Sequence, residues 1–437
     1  MNVMKFGGTS VGSAQRIKNV ASLVSSRGRN IVVLSAMSGT TNQLLKITDS
    51  LKSGDISEAS TLIGQLREKY TKEISELIDD PAYRDEALSK IGGIIDSVAA
   101  KLDKKIEAID EKEIVACGEL MSTNMMDCYM RSIGMNVAFL QALDFMAVDD
   151  QGEPDLDYIE AHIAPLIAIN PDADVYLTQG FICRNADGEI DNLQRGGSDY
   201  SASLIGAAVD ADEIEIWTDI DGMHNNDPRF VEGTKPVSKL HFEEAAELAY
   251  FGAKILHPTC VLPAKNKNIP VRLLNTMKPE APGTLIYNTE ADHKIKAIAA
   301  KDDITAIKIK SGRMLLAYGF LRKVFEIFET HRTPIDMITT SEVGVSVTID
   351  NDRNLDAIVE DLSAYGAVTI DRDMVIVCVV GDLEWKNRGF EAEVVNALKE
   401  VPIRMISYGG SNYNISVLIR KEDKQKALNL LSLHLFN

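Results

Sequence analysis

Two tryptophans, seven histidines and five cysteines are all that 437 residues hold of those types. The cysteines (117, 128, 183, 260 and 378) are odd in number and far apart, with no C-x-x-C. That excludes a redox dithiol and a disulfide framework, and leaves reduced, buried thiols. The histidines are scattered without paired spacing, which argues against a zinc site, and no metal ligand is assigned to the chain. No apolar run approaches the ~18 residues of a membrane span. No charged-then-apolar leader opens the sequence either. Basic residues are also scarce: 46 Lys and Arg stand against 65 Asp and Glu, a net charge of -19. Nucleic acid is thereby a poor partner, since phosphate backbones need a basic face. Two phosphate signatures are missing as well. Without a Gly-Lys dipeptide there is no Walker loop, and without G-x-G-x-x-G there is no dinucleotide turn. The expectation is a soluble cytoplasmic protein that binds neither nucleic acid nor membrane.

What remains is ordinary globular usage, 45% hydrophobic and 25% charged, long enough for two to four domains. NIVVLSA (30–36), DVYLTQGFI (174–182) and EIEIWTD (213–219) read as buried strands, each ending in a polar or glycine turn. Helical patterns such as 198–209 and 241–253 lie between them. This alternation predicts an α/β sheet with helices on both faces, and ligands beyond the carboxyl ends of its strands. Residues 43–131 form a charged helical insertion that ends in ACGELMSTNMM (116–126). KPEAPGTLIYN (278–288) leads out of this domain, and the tail then repeats. The helical stretches opening at Gly319 and Gly389 are 70 residues apart, as are VSVTID (345–350) and ISVLIR (415–420). ITAIKIK (304–310) matches MVIVCVV (374–380) at the same offset. Two small α+β modules in tandem are predicted, with Gly319 and Gly389 opening helices whose N–H groups suit an anion or serve only as turns.

The polar turns carry the chemistry. In MKFGGTSVGS (4–13), Lys5 leaves a strand beside Gly7 and Gly8, which admit close backbone approach to phosphate. A tight turn with a solvated lysine is the plain alternative. LSAMSGTTN (34–42) offers Ser35, Thr41 and Asn42, or a helix cap at Thr40 or Thr41. In LQRGGSDYSA (193–202), Arg195 precedes a glycine pair, and Ser198 or Asp199 begins a helix. A guanidinium fork beside a helix N-terminus suits a carboxylate or phosphate, against a surface turn with an unpaired arginine. WTDIDGMHNNDPR (217–229) brings Thr218, Asp219 and Arg229 after a strand, where carboxylates suit Mg²⁺ or a ribose. Lys254 in FGAKILHP is a further phosphate contact. Glu119 in CGEL reads as an acid at a helix start, where dipole pairing is the plain role. Positive charge thus gathers at strand ends with no activated nucleophile and no evident general base. Phosphoryl transfer needs little more than positioning, Mg²⁺ and charge neutralisation. A carboxylate acceptor, pKa ~4, needs no base at all.

MKFGGTSVG, LSAMSGTTN, GELMS, QRGGSDYSA, WTDIDG…DPR and FGAKILHP, in this order, resemble the aspartate kinases across the whole chain. The tail resembles their paired ACT domains. The resemblance implies an amino acid kinase fold over 1–295, a mainly parallel sheet flanked by helices. Two ferredoxin-like α+β ACT modules would follow, at 296–372 and 373–437. It implies phosphorylation of L-aspartate to 4-phospho-L-aspartate by ATP with Mg²⁺, the first step towards lysine, threonine and methionine. Lys5 and Asp199 would be catalytic. Ser35, Thr41, Glu119 and Arg195 would bind aspartate, Glu119 through its ammonium and Arg195 through its α-carboxylate. Lys5, Gly7, Gly8, Thr218, Asp219, His224, Arg229 and Lys254 would serve the nucleotide, His224 standing where the family commonly has tyrosine. The first module resembles the lysine-sensing form, with Met314, Gly319, Phe320, Leu321, Asp336 and Glu342 as ligand groups. Ala317 and Pro334 depart from the serines of lysine-sensitive relatives. L-lysine inhibition follows as an expectation, as do a homodimer or dimer of dimers through the ACT modules and no fused homoserine dehydrogenase. Another small-molecule kinase of this fold, for glutamate for example, or an inactive amino-acid sensor are the alternatives.

Overall fold

The computed structural model describes residues 1–193, 196–252, 257–289, 294–312 and 318–436. The chain begins β1 (Asn2–Phe6), α1 (Ala14–Ser25), β2 (Asn30–Leu34). Four helices follow: α2 (Thr40–Ser53), α3 (Ile56–Leu77), α4 (Pro81–Ala99) and α5 (Ala108–Ser132). Next come β3 (Val137–Leu140), α6 (Leu156–Ala168), β4 (Val175–Gln179), β5 (Ile182–Arg184), β6 (Ile190–Asn192), α7 (Gly197–Ala208) and β7 (Ile214–Thr218). Then follow β8 (Lys239–His241), α8 (Phe242–Tyr250), α9 (Leu262–Lys267), β9 (Val271–Asn275) and β10 (Thr284–Tyr287). The tail holds β11 (Ile295–Lys310), α10 (Phe320–Thr330), β12 (Ile338–Ser341), β13 (Gly344–Ile349), α11 (Leu355–Ser363) and β14 (Ala367–Gly381). It closes with α12 (Phe390–Ala397), β15 (Met405–Tyr408), β16 (Asn414–Arg420) and α13 (Lys424–Leu435). None of these helices is long and apolar enough to cross a membrane. The five cysteines are free and buried.

Two compact units form: Met1–Met223 with Leu256–Asn288, and His224–Ile255 with Thr289–Asn437. In the first, strands run in the order β3-β4-β2-β1-β7-β9-β10, and all neighbouring pairs from β3 to β9 are parallel. Every residue of β2 and β4 is buried, as expected of strands in a sheet covered on both faces. The inserted helices keep apolar residues at helical spacing. On α3 these are Ile63, Leu66, Tyr70, Ile74 and Leu77. They share one core with Met4, Phe6, Leu34, Met121 and Met125.

The second unit is built on a sheet of order β12-β13-β11-β14-β16-β15. Its two central strands are long and shared. Residues 304–310 of β11 pair with β13 and with the first half of β14. Residues 295–301 pair with the second half of β14, which in turn pairs with β16. The register shifts between Lys301 and Ala306, where Asp303 takes φ 59°. Two cores result, one around Ile307, Phe320, Val324 and Val347, the other around Val377, Val394, Leu398 and Val417.

The expected boundaries are displaced accordingly. Residues 295–301 complete the second module, not the first. Residues 224–255 group with the tail and not with the kinase sheet. Close backbone packing explains the latter: a Cβ at Gly252 would come 2.3 Å from the Ala300 carbonyl oxygen. The Asn414 amide also donates to Glu247 on α8.

Candidate active site

The parallel register sets Phe6, Leu34 and Trp217 side by side, with Gln179 next to Leu34. The turns after β1, β2, β4 and β7 therefore open at one edge of the sheet. The chain continues from β1 to β2 on one side, while β7 lies on the other, so a crevice opens at β1. There the first two turns interlock. The Gly7 N–H donates to the Trp217 carbonyl at 3.1 Å, and the Gly8 carbonyl accepts from the Ser38 N–H at 3.0 Å. A Cβ at Gly8 would lie 2.7 Å from the Ala36 carbonyl oxygen, so only glycine fits.

A cavity of about 190 Å³ lies at this edge, lined by Lys5, Ser35, Thr41, Glu119, Phe181 and the first turn of α7. Lys5 is a strand residue and is buried. Its Nζ lies 2.6 Å from Asp199 Oδ1, an ion pair angled poorly for a hydrogen bond. Asp199 stands in the first turn of α7, whose N-cap is Gly196 at φ 75°. A side chain at Gly196 would also meet Cys260 Sγ at 2.7 Å. The N-caps of α2 and α7 are left-handed glycines without a side-chain cap, so first-turn N–H groups face the cavity edge uncapped. The cap expected from Thr40 or Thr41 is therefore corrected to Gly39, and both threonines fall in the first turn.

Glu119 is placed differently from its expected position. It does not start a helix; α5 begins at Ala108, and Glu119 is buried in its middle. Gly118 allows this, because a Cβ there would meet Ala36 Cβ at 2.8 Å. Glu119 Oε1 accepts the Ala36 N–H at 3.1 Å, while Oε2 is buried without a hydrogen-bond partner among the described residues. Burial pushes its carboxyl up to about 7, against the Ala36 N–H and Lys5, which favour the ionised form. An open, buried carboxylate oxygen beside Ser35 and Thr41 is matched by an ammonium group. Phe181 was not apparent from the sequence. It lines the cavity at φ 71°, its N–H held by Ser201 Oγ at 2.8 Å. Only a glycine immediately before Ser198 admits it: a Cβ at Gly197 would come 2.4 Å from the Phe181 ring.

The remaining expected residues divide. Thr218 ends β7 and donates to Asp219 Oδ1 at 3.2 Å, with Asp219 exposed. Arg195, Lys254 and Met314 lie outside the described residues. In the second unit, Arg229 does not present a free fork. It lies on Asp227, with contacts of 2.6 to 3.1 Å. His224 Nδ1 bonds to Thr234 Oγ1 at 2.9 Å. Gly319 caps α10 at φ 79°, and Leu321 and Glu342 are exposed. Phe320 is buried in the module core, so it offers a ligand only its backbone. The Asp336 side chain is almost wholly inaccessible, and its Oδ1 accepts from Lys301 at 2.6 Å and from the Tyr250 hydroxyl at 3.0 Å. Its Oδ2 is buried without a hydrogen-bond partner among the described residues. Among those residues, one group of three acidic or thiol ligands converges: Glu86, Asp127 and Cys128. Arg131 and Lys90 already bind its carboxylates.

Comparison with known proteins adds to this geometry. The amino acid kinase family matches residues 1–275, and an ACT domain matches residues 377–435. Lysine-sensitive aspartokinase 3 of Escherichia coli (strain K12) is 33% identical, with 99% of each chain covered. Chloroplastic aspartokinase 1 of Arabidopsis thaliana is 34% identical, with 98% of this chain and 79% of the relative covered. The crystal structure of E. coli aspartokinase III with aspartate and ADP has a TM-score of 0.85 at 32% identity, with both chains covered fully. The same enzyme with lysine and aspartate gives 0.83.

Proposed function

The chain belongs to the aspartokinase family, and from that membership we infer how its parts carry out ATP-dependent phosphorylation of L-aspartate. The observation that carries the assignment is the pairing, across one cavity, of the Lys5–Asp199 ion pair with the open oxygen of Glu119. Glu119 takes the α-ammonium of aspartate, with Ser35 and Thr41 beside it, and Arg195 takes the α-carboxylate. The β-carboxylate then points towards Lys5. It is already ionised at pH 7, so no general base is required. Its oxygen attacks the γ-phosphorus in line; the new P–O bond forms as the bond to the β–γ bridging oxygen breaks, and ADP leaves. Asp199 orients Lys5, whose ammonium neutralises the equatorial oxygens of the transferring group. Gly7 and Gly8 let backbone N–H groups approach the phosphates. Thr218 and Asp219 face the nucleotide from the end of β7, with His224, Arg229 and Lys254 as further nucleotide residues. Arg229 must exchange Asp227 for phosphate, a small cost for an exposed pair.

Exposed Asp219 would be the carboxylate that helps to hold Mg²⁺, and the ion would supply charge neutralisation to the transferring phosphoryl group. In the tail, we assign L-lysine to Asp336, whose unpartnered Oδ2 would accept the ε-ammonium, with the Gly319 turn and Leu321 nearby in sequence. A dimer through the ACT modules, in the cytoplasm, completes the reading.

Trapping the acyl phosphate with hydroxylamine tests it. Aspartate should give ATP-dependent hydroxamate and glutamate should not. Glutamate turned over equally well would refute the substrate assignment.

A further inference from the structure

The two tail modules repeat one another, and the repeat inverts a charge. In the first, the Asp336 N–H donates to the Thr348 carbonyl at 2.9 Å; in the second, the Arg404 N–H donates to the Leu418 carbonyl at 2.8 Å. The acceptors are 418 − 348 = 70 residues apart, the offset of the repeat. Arg404 therefore stands in the fold where Asp336 stands. Their partners correspond too. Lys301 Nζ lies 2.6 Å from Asp336, and Arg404 Nε lies 2.7 Å from Asp371, again 371 − 301 = 70 residues on. Lys301 also reaches Asp350 at 2.9 Å, and the residue 70 positions after Asp350 is Arg420. The positions of the two acids that hold Lys301 carry arginines in the second module, and the position of the lysine carries Asp371.

At the inverted position the molecule opens a cavity of about 780 Å³, with Arg372, Arg404, Arg420 and Lys421 on its wall. The wall also carries Asp371, Asp373 and Glu422. Most of the cations are held weakly. Arg372 lies 3.3 Å from Asp352, Arg420 3.3 Å from Glu422 and Lys421 3.0 Å from Asp303, all exposed pairs that a ligand can displace. Arg404 is more buried and engages Asp371 through Nε among the described residues, which leaves its terminal amino groups to a ligand. Guanidinium groups so placed match planar or tetrahedral oxyanions in a way that an ammonium-binding acid pair cannot.

We propose that this cavity is a second ligand site of the tail, specific for a small oxyanion, a phosphate or a dicarboxylate. It is the charge-reversed counterpart of the Asp336 site.

Isothermal titration calorimetry on the full chain tests it, with the kinase site filled by ADP and L-aspartate and ionic strength held constant. One arm adds inorganic phosphate and the other succinate. Saturable binding of at least one is expected, and the arm that saturates identifies the anion. Arg420→Ser, at an exposed position, should weaken it roughly tenfold or more. The paired change Asp371→Lys with Arg404→Glu keeps an ion pair but copies the first module, and should abolish it. Basal turnover should be unchanged in both. If the paired variant does not fold, Arg420→Ser decides alone. Absence of saturable binding at millimolar anion, or binding indifferent to Arg420→Ser, would overturn the proposal.

Discussion

Glu119 is held between two requirements. Burial lifts its carboxyl to about 7 from an ordinary 4.5, yet binding an ammonium requires it ionised. Because the folded value lies above the unfolded one, the group's contribution to stability is fully present below pH 4.5. That contribution is lost as pH rises through about 7. That rise corresponds to roughly 3 kcal/mol. At pH 8 the empty enzyme bears this penalty, and aspartate's ammonium relieves it. Glu119→Gln should therefore raise Tm at pH 8 while raising the KM for aspartate. In the native enzyme, kcat/KM for aspartate should fall about tenfold per pH unit below ~7 and level off above. A flat profile would exclude the role. Lys5→Met tests the opposite charge: the hydroxamate assay should show kcat reduced roughly 10²- to 10³-fold, with Tm lowered because Asp199 loses the cation that faces it. Lys5, Ser35, Thr41, Glu119 and Asp199 were all legible in sequence as polar residues at turns, and they line one cavity. Their burial was not legible. CGEL looks like a helix start because the apolar surroundings of Glu119 come from Ala36 and α2, far away in the chain. Phe181 gave no signal, since φ 71° at a phenylalanine is imposed by packing and not by its type.

At the scale of elements, the strands were legible because a twice-covered parallel strand is mostly apolar, and 30–34, 175–179 and 214–218 are, although each also carries a buried polar residue such as Asn30, Thr178 or Glu215. Helix starts were less so. Threonine is a good N-cap by propensity, but left-handed Gly39 and Gly196 displace side-chain caps and leave N–H groups open at the cavity edge. The glycines of the first turn are likewise unequal. A Cβ at Gly7 would meet Lys5 Nζ and the Trp217 carbonyl at 3.6 Å, which is ordinary contact. One at Gly8 would press into the Ala36 carbonyl at 2.7 Å and part the turns after β1 and β2. Gly8→Ala should then cost roughly 1–3 kcal/mol in denaturant unfolding and raise the KM for ATP. Gly7→Ala should cost clearly less. Equal effects of the two would show that the interlock of the turns does not hold the edge together.

For the whole molecule, the 70-residue repeat was legible, but its chain crossing was not. Pairing one half of β11 with each module depends on the register shift near Asp303, and no periodicity records it. The placement of 224–255 with the tail depends on Gly252 and Glu247 contacts that appear only once both segments are folded. That placement brings Tyr250, the last residue of α8, onto Asp336, with Lys301 Nζ 4.5 Å from its ring centre. The carboxylate assigned to free lysine thus already holds a lysine of its own chain. Burial raises the Asp336 carboxyl above its usual range, against the pull of Lys301. Removing Lys301 leaves a buried acid short of a cation, which an incoming ε-ammonium would replace. Lys301→Met should consequently lower Tm in the absence of ligand, by roughly 1–3 kcal/mol of stability. L-lysine should restore more Tm than it adds to the native enzyme, and inhibit at lower concentration. Asp336→Asn should abolish inhibition while sparing basal turnover, since an amide cannot pair with the ammonium. If Lys301→Met instead binds lysine as the native enzyme does, the internal lysine is a structural strut and does not compete for the effector carboxylate. Sensitivity would then have to be set by other residues of the first module.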